Sequence, residues 1–424
     1  MLSSFWFSCV KEFVESAGLA REWQMGMALA ALEMNLTVQW CYATPTDILA
    51  ALEMPAVTNF RVSMDFCYGE SWQVGVSSLI VWAAGAFPSK DTLWTSDNGR
   101  FAVGGCPWTP DHETPAAALH VVIALMSTGP VGISDMEGGT NVTLITRAIT
   151  EVSTRLPPKF PGQFPRKKTI SEDRLSRSAM KTHCKGDSRF HTQDGTLLKP
   201  SKPITLIDSG LAATSAGPGH TAALPGPSGE IYATYSAATT ATATAAGVRP
   251  GDTTAKAAIA YYFVSFKMTA EFGVSKRDFY PALPTSQAKT TALVYREFAE
   301  GAGCVNGSAV HTCVTAVSAD TPHQVFTAPR SDLSNVTGGT DFAPAVFTVW
   351  PVCTSGFVLL GDLSKYVALS AQRFSHVECT ATGVSATVVG SSGEEVTVTA
   401  VTKTTVVVRK VVIPLAGSVS IAVS

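Results

Sequence analysis

A chain of 424 residues, 46% hydrophobic and 15% charged, has the composition of a folded protein with room for two or three cores, and excludes a wholly disordered one. A formal net charge of −2 supplies no overall field toward nucleic acid or an anionic membrane, and no nucleic-acid partner is expected. No apolar run reaches the roughly 18 residues of a helical membrane span; "VSSLIVWAAGAF", among the longest, stops at Pro88.

The opening "MLSSFWFSCVKEF" lacks a basic start leading into a long apolar stretch, so a signal peptide is not evident. "AREWQMGMALAALEMN" has helical spacing and is expected to turn Trp23, Met27, Leu32 and Met34 toward one apolar face. "LTVQWCYA" reads as a short buried strand, and "TPTDILAALEM" as a short helix capped by Thr46 or Asp47. "AVTNFRVSM" is the next strand. A helix over "VGVSSLIVWAAGAF" is then expected to precede a strand at "DTLWTSD", and a helix over "PAAALHVVIALMSTG" to precede one at "VGISD". Strands alternating with helices of this length predict parallel strands with helices outside. Four such units within residues 1–150 amount to half of a (β/α)8 barrel.

Polar residues gather where these strands end, in "WCYAT", "RVSMDF", "LWTSD" and "GISD". Barrel active sites collect at the carboxyl ends of strands, because the loops there converge on the barrel axis. Asp65, Asp97 and Asp135 are therefore candidate site residues. A strand leaving any core meets polar residues too; it is the succession of four that points to a site.

Residues 151–193 are rich in Pro and basic residues without an apolar period and read as a disordered insertion. His183, Cys184 and His191 within it have poor metal-ligand spacing and no fourth partner. A short segment, 194–208, follows, and 209–258 reads as an Ala/Thr/Gly linker. From 259 to 424 short alternating runs such as "AVFTVWPV", "EEVTVTAVT" and "TTVVVRKVVI" predict an antiparallel β-sandwich. No G-x-G-x-x-G follows a strand, so a dinucleotide-binding domain is not expected.

Nine cysteines without a C-x-x-C pair carry no zinc or thioredoxin signature. Cys304 with Cys313, and Cys353 with Cys379, are spaced for small disulfide loops. Four N-x-S/T triplets, at Asn35, Asn141, Asn306 and Asn335, fit a secreted or endomembrane protein, although such triplets also arise by chance.

From about Trp23 to Asp208 the order of these motifs resembles the second half of the catalytic barrel of clan D glycoside hydrolases, the α-galactosidases and the raffinose-synthase-like (family 36) proteins. "RVSMDF" is similar to that group's Arg-x-x-x-Asp strand, with Met64 where raffinose-synthase-like members often carry another Asp. "SSLIVWAAGAFPSKDTLWTSD" resembles its next helix and strand, "AAALHVVIALMSTGPVGISD" its last helix and strand, and "DGTLLKPSKPITLIDS" its exit toward a C-terminal β-domain. In the family the last helix runs directly into the exit segment, which marks 151–193 as inserted.

The resemblance implies a retaining O-glycosidase acting on α-linked sugars, in which two carboxylates flank the scissile bond. Asp65 then corresponds to the general acid/base, its proton held by burial or by a neighbouring charge. Arg61 corresponds to a ligand of sugar hydroxyls, with Asp97 and Asp135 lining the site and Trp40 and Trp94 stacking on a sugar's apolar face. Each tryptophan by itself also fits a core position. The family's nucleophile lies on a strand before the helix at 17–34, yet no aspartate precedes Asp47, and Glu12, Glu15, Glu22 and Glu33 lie in helix-like sequence. The expectation is a C-terminal portion of a longer enzyme, inactive alone, with a carbohydrate partner and neither metal nor organic cofactor. The alternatives are a non-catalytic carbohydrate-binding or structural relative, and an unrelated secreted β-sandwich adhesion protein.

Overall fold

The computed structural model describes residues 11–41, 45–63, 74, 77–90, 92–95, 117–135, 137–151, 196–208, 230–238, 258–266, 291–297, 314–318, 345–353, 355–402 and 405–424. Helices and strands alternate in the first part, and antiparallel sheets make up the rest. Among the described residues no helix is long and apolar enough to cross a membrane.

Helices α1 (Lys11–Glu15) and α2 (Leu19–Glu33) lead into β1 (Val38–Trp40). Helix α3 (Pro45–Ala50) and a 3-10 turn (Ala51–Glu53) connect to β2 (Val57–Arg61), and α4 (Ser77–Ala83) to β3 (Phe87–Ser89). The three strands form one parallel sheet with β2 in the centre. All of β2 except half-buried Thr58 is buried, as expected of a parallel strand covered on both faces.

The expected apolar face of α2 is not the one that packs. Gln24, Ala28 and Ala31 are buried, whereas Trp23, Leu32 and Met34 are 37%, 50% and 63% exposed. Two alanines four and seven residues after Gln24 let the helix lie close to a core of Trp40, Ile48, Met54, Val57 and Phe60. Gln24 Nε2 donates to Asp47 Oδ1 at 3.2 Å, a buried polar pair that fixes the helix's rotation. Asp47 thus lies inside the first turn of α3, buried and facing α2, rather than acting as its cap.

The third strand also begins earlier than expected. The apolar run "VSSLIVWAAGAF" is helical only to Ala83; Gly85, at φ 83°, turns the chain, and Phe87–Ser89 join β2. Of the expected strand 91–97, Leu93 makes an isolated parallel bridge to Ile133. Pro88 is tolerated because β3 pairs only with β2 among the described strands. Helix α5 (Ala117–Met126) is apolar nearly all round, and Val121 to Met126 are each no more than 1% exposed. Helix α6 (Val142–Thr146) is capped by the Asn141 side chain, which accepts from Leu144 N–H.

The next sheet comprises β4 (Thr205–Asp208), β5 (Glu230–Ala238), β6 (Ala258–Phe266), β7 (Thr291–Glu297), β8 (Val314–Ser318) and β9 (Ala345–Pro351). Their order is β4-β5-β6-β9-β7-β8, antiparallel throughout. Strand β5 lies inside the stretch expected as a linker: "EIYATYSAA" pairs with β4 on one side and β6 on the other, and Tyr232 is wholly buried.

Two three-stranded antiparallel sheets complete the chain. One holds β10 (Val358–Gly361), β13 (Glu395–Val401) and β14 (Val406–Val412); the other holds β11 (Phe374–Thr380), β12 (Gly383–Val389) and β15 (Ser418–Val423). A single apolar cluster links residues of α5, Tyr262 and Trp350 of the six-stranded sheet, and Leu359, Val377, Val384 and Val398 of the last two sheets. Cys353 and Cys379 form a disulfide, one of the pairings their spacing allowed.

Candidate functional site at the parallel strand ends

Side chains alternate along the end of β2, so Asn59 and Arg61 share one face while Phe60 takes the other. Phe60 stacks on Trp40, with ring centroids 6.1 Å apart and planes 9° apart. Trp40 is 2% exposed, within the core shared with α2 and α3. Its ring is occupied by that packing rather than offered to an open cleft.

The opposite face is polar. Ser89 Oγ accepts from Gln39 Nε2 at 3.1 Å and from Asn59 Nδ2 at 3.3 Å, and donates to Phe60 O at 3.1 Å. One hydroxyl therefore ties the carboxyl ends of all three strands together. Arg61 is opposite Ser89 in the β2–β3 register and is 9% exposed. Asp65, four residues beyond Arg61, lies outside the described residues, as does Asp97.

Lys90 follows β3 directly and is 3% exposed. Its charge acts on His120 of α5, itself 1% exposed. Burial, and secondarily the Lys90 ammonium, hold the imidazole well below its ordinary value of 6.5, so His120 is neutral at physiological pH.

Asp135 sits at the end of the Leu93–Ile133 pairing. Its Oδ1 accepts from the Thr95 backbone N–H at 2.7 Å and its Oδ2 from the Thr95 hydroxyl. The same Thr95 oxygen accepts from Asn141 N–H at 2.7 Å. Both carboxylate oxygens are thus held by Thr95, an arrangement that joins the two segments paired by the Leu93–Ile133 bridge to the start of α6. Trp94, between Leu93 and Thr95, is half-buried against the main apolar cluster.

Of the residues singled out from sequence, Arg61 closes strand β2, Asp135 lies two residues beyond the isolated Leu93–Ile133 bridge rather than at the end of a strand, and Trp40 belongs to the core. Ser89, Lys90 and Thr95 were not anticipated. The first two were hidden because the preceding apolar run was read as helix through Phe87. His120 had a signal, being the one ionisable residue in "AAALHVVIALM". Among the described residues no three of His, Cys, Asp and Glu gather as a metal site. The Arg61 guanidinium, the Lys90 ammonium and the Ser89 and Thr95 hydroxyls of this end of the molecule are all buried, and both hydroxyls are engaged in the bonds above. Comparison with protein-family models and with curated proteins gave no match.

Proposed function

We propose that the chain is a clan D-like glycoside hydrolase component that binds an α-linked sugar at the carboxyl end of β2. In this reading β1, β2, β3 and the Leu93–Ile133 pairing belong to half of a (β/α)8 barrel, and the two three-stranded sheets form a β-sandwich beyond it. The observation that carries the reading is Arg61, a guanidinium on the last residue of the central parallel strand, on the polar face with Asn59 and opposite Ser89. It binds sugar hydroxyls through charge-assisted hydrogen bonds. Asp65, four residues on in "RVSMDF", serves as the acid/base that protonates the glycosidic oxygen and then activates water.

A second reading, sugar binding without cleavage, is favoured by Asp135. With both oxygens held by Thr95, it is built as a structural carboxylate rather than as a nucleophile. Saturation-transfer NMR on the full chain with aryl α- and β-galactosides, together with assay of released phenol, distinguishes the outcomes. Preferential transfer to the α-anomer supports the site, and phenol release that is lost in Asp65→Asn supports catalysis. Binding without release favours the second reading. No transfer to either anomer refutes both.

A further inference from the structure

Helix α2 ends in a crossed pair of hydrogen bonds. Asn35 N–H donates to Leu32 O at 3.0 Å, and Leu36 N–H reaches back to Ala31 O at 2.8 Å. Asn35 itself has φ 54°, the left-handed conformation that closes such a helix end. Asparagine is among the few side-chain-bearing residues that adopt it readily. The turn uses the backbone N–H of Asn35, while Asn35, Leu36 and Thr37 are all exposed. Those three residues read Asn-Leu-Thr, an N-glycosylation acceptor triplet without proline at its centre.

The other described triplet is treated differently by the fold. Asn141 Oδ1 accepts from Leu144 N–H at 3.3 Å, and Val142 and Thr143 are already wound into α6. A glycan at Asn141 would compete with a helix cap; one at Asn35 projects from a completed turn.

Two further observations converge on Asn35. The Cys353–Cys379 disulfide is a bond of the kind that forms in oxidising compartments, the same setting in which asparagine is glycosylated. Around the turn, Leu32, Met34 and Leu36 are 50%, 63% and 55% exposed, apolar surface that the stem of a glycan would cover.

We propose that Asn35 is an N-glycosylation site whose glycan shields the apolar end of α2. The donor is an oligosaccharide linked to a lipid diphosphate. The Asn35 carboxamide nitrogen forms a C–N bond to the anomeric carbon as the C–O bond to the diphosphate breaks. The amide loses one proton, which leaves with the lipid diphosphate. The proposal does not rest on the sugar-site reading.

The test is expression of the full chain through a eukaryotic secretory pathway behind a cleavable leader. The product is then treated with peptide N-glycosidase in heavy-oxygen water, which labels each formerly glycosylated asparagine for peptide mass mapping. Most of the Asn35 peptide is expected to carry the label. Asn35→Gln and Thr37→Ala each lower the intact mass by one glycan, whereas Thr37→Ser keeps it. Thr37→Ala avoids disturbing the left-handed position and so carries the test if Asn35→Gln fails to fold. A folded product with the Cys353–Cys379 link intact and Asn35 unlabelled overturns the proposal, as does a Thr37→Ala variant of unchanged glycan mass.

Discussion

Replacing Arg373 by alanine breaks the most deeply buried ionic network among the described residues. Arg373 has a side chain 1% exposed; its Nη2 donates to Glu394 Oε1, its Nη1 donates to Val389 O at 2.9 Å, and its Nε lies 3.8 Å from Asp362 Oδ2. Glu394 also accepts from the backbone N–H groups of Glu151 at 2.8 Å and Ser391 at 2.9 Å. Lys365 completes the group, its Nζ donating to Thr146 O at 2.8 Å. The network therefore fastens the end of the α/β region, through Thr146 and Glu151, to the last two sheets. Burial alone would raise the Glu394 pKa; the Arg373 guanidinium and the two backbone donors outweigh it and hold the carboxyl below its ordinary value. With Arg373 gone, Asp362 and Glu394 keep their two negative charges against Lys365 alone. Removing one partner of a buried pair costs about 3–5 kcal/mol, because the other charge is left uncompensated. A cooperative unit of about 150–250 residues loses about 2–4 °C per kcal/mol, so the transition falls by about 6–20 °C. Scanning calorimetry with parallel urea titration reads this directly. Arg373→Lys, which keeps the charge but loses the fork, is expected to fall between. A Tm within about 2 °C of wild type for Arg373→Ala, the scale of a surface pair, would refute the reasoning.

His120 predicts a pH dependence. Its folded pKa is lowered, first by burial and then by Lys90, so the unfolded chain takes up the proton first as pH falls. Stability from this group is full above about 6.5 and declines below it by about 1.4 kcal/mol per pH unit until the folded value is reached. Urea unfolding of His120→Gln should lack that slope, and an unchanged slope contradicts the assignment. At Gly361, φ is +92° and an added Cβ would meet Ala368 O at 2.1 Å, whereas at Gly393, φ +84°, it would meet nothing within 4 Å. Gly361→Ala is expected to cost about 2–5 kcal/mol and Gly393→Ala only about 1–2; equal costs in chemical denaturation would contradict this packing. Removing the disulfide with Cys353→Ser opens a loop spanning 26 residues, a loss of about 3.5 kcal/mol by chain entropy. An equilibrium stability unchanged under oxidising conditions counts against it.

What sequence reveals here divides by the range of the interactions involved. Strands β1 and β2 were legible because each is a short apolar run bounded by turn residues. The "TPTDILAALEM" helix was legible for its periodicity, and the last sheets for the two-residue alternation in "EEVTVTAV". The packing face of α2 was not, because its rotation depends on Gln24 meeting Asp47, a partner 23 residues away, and on alanines that allow close approach. Strand β3 was absorbed into an apolar helix run that continues past its end; only the left-handed Gly85 breaks it. Strand β5 has the composition of a linker and becomes a strand through pairing on both sides. Of the four expected polar strand ends, only Arg61 closes a strand that forms as expected; the segments at 92–95 and 131–135 share an isolated bridge instead. The local pattern carried nothing of the Thr95–Asp135 clamp or of the Arg373 network, both of which join residues distant in sequence.

The central claim, a sugar site at the end of β2, is tested most directly by isothermal titration calorimetry of methyl α-galactoside against the full chain, Arg61→Ala and Asp65→Asn. Arg61→Leu serves as a fold-preserving control for charge loss in a buried position. The account predicts saturable binding by the wild-type chain and its loss in Arg61→Ala and Arg61→Leu with the folded state retained. Asp65→Asn should still bind. A wild-type chain that does not bind, or Arg61 variants that bind as the wild type does, would contradict it.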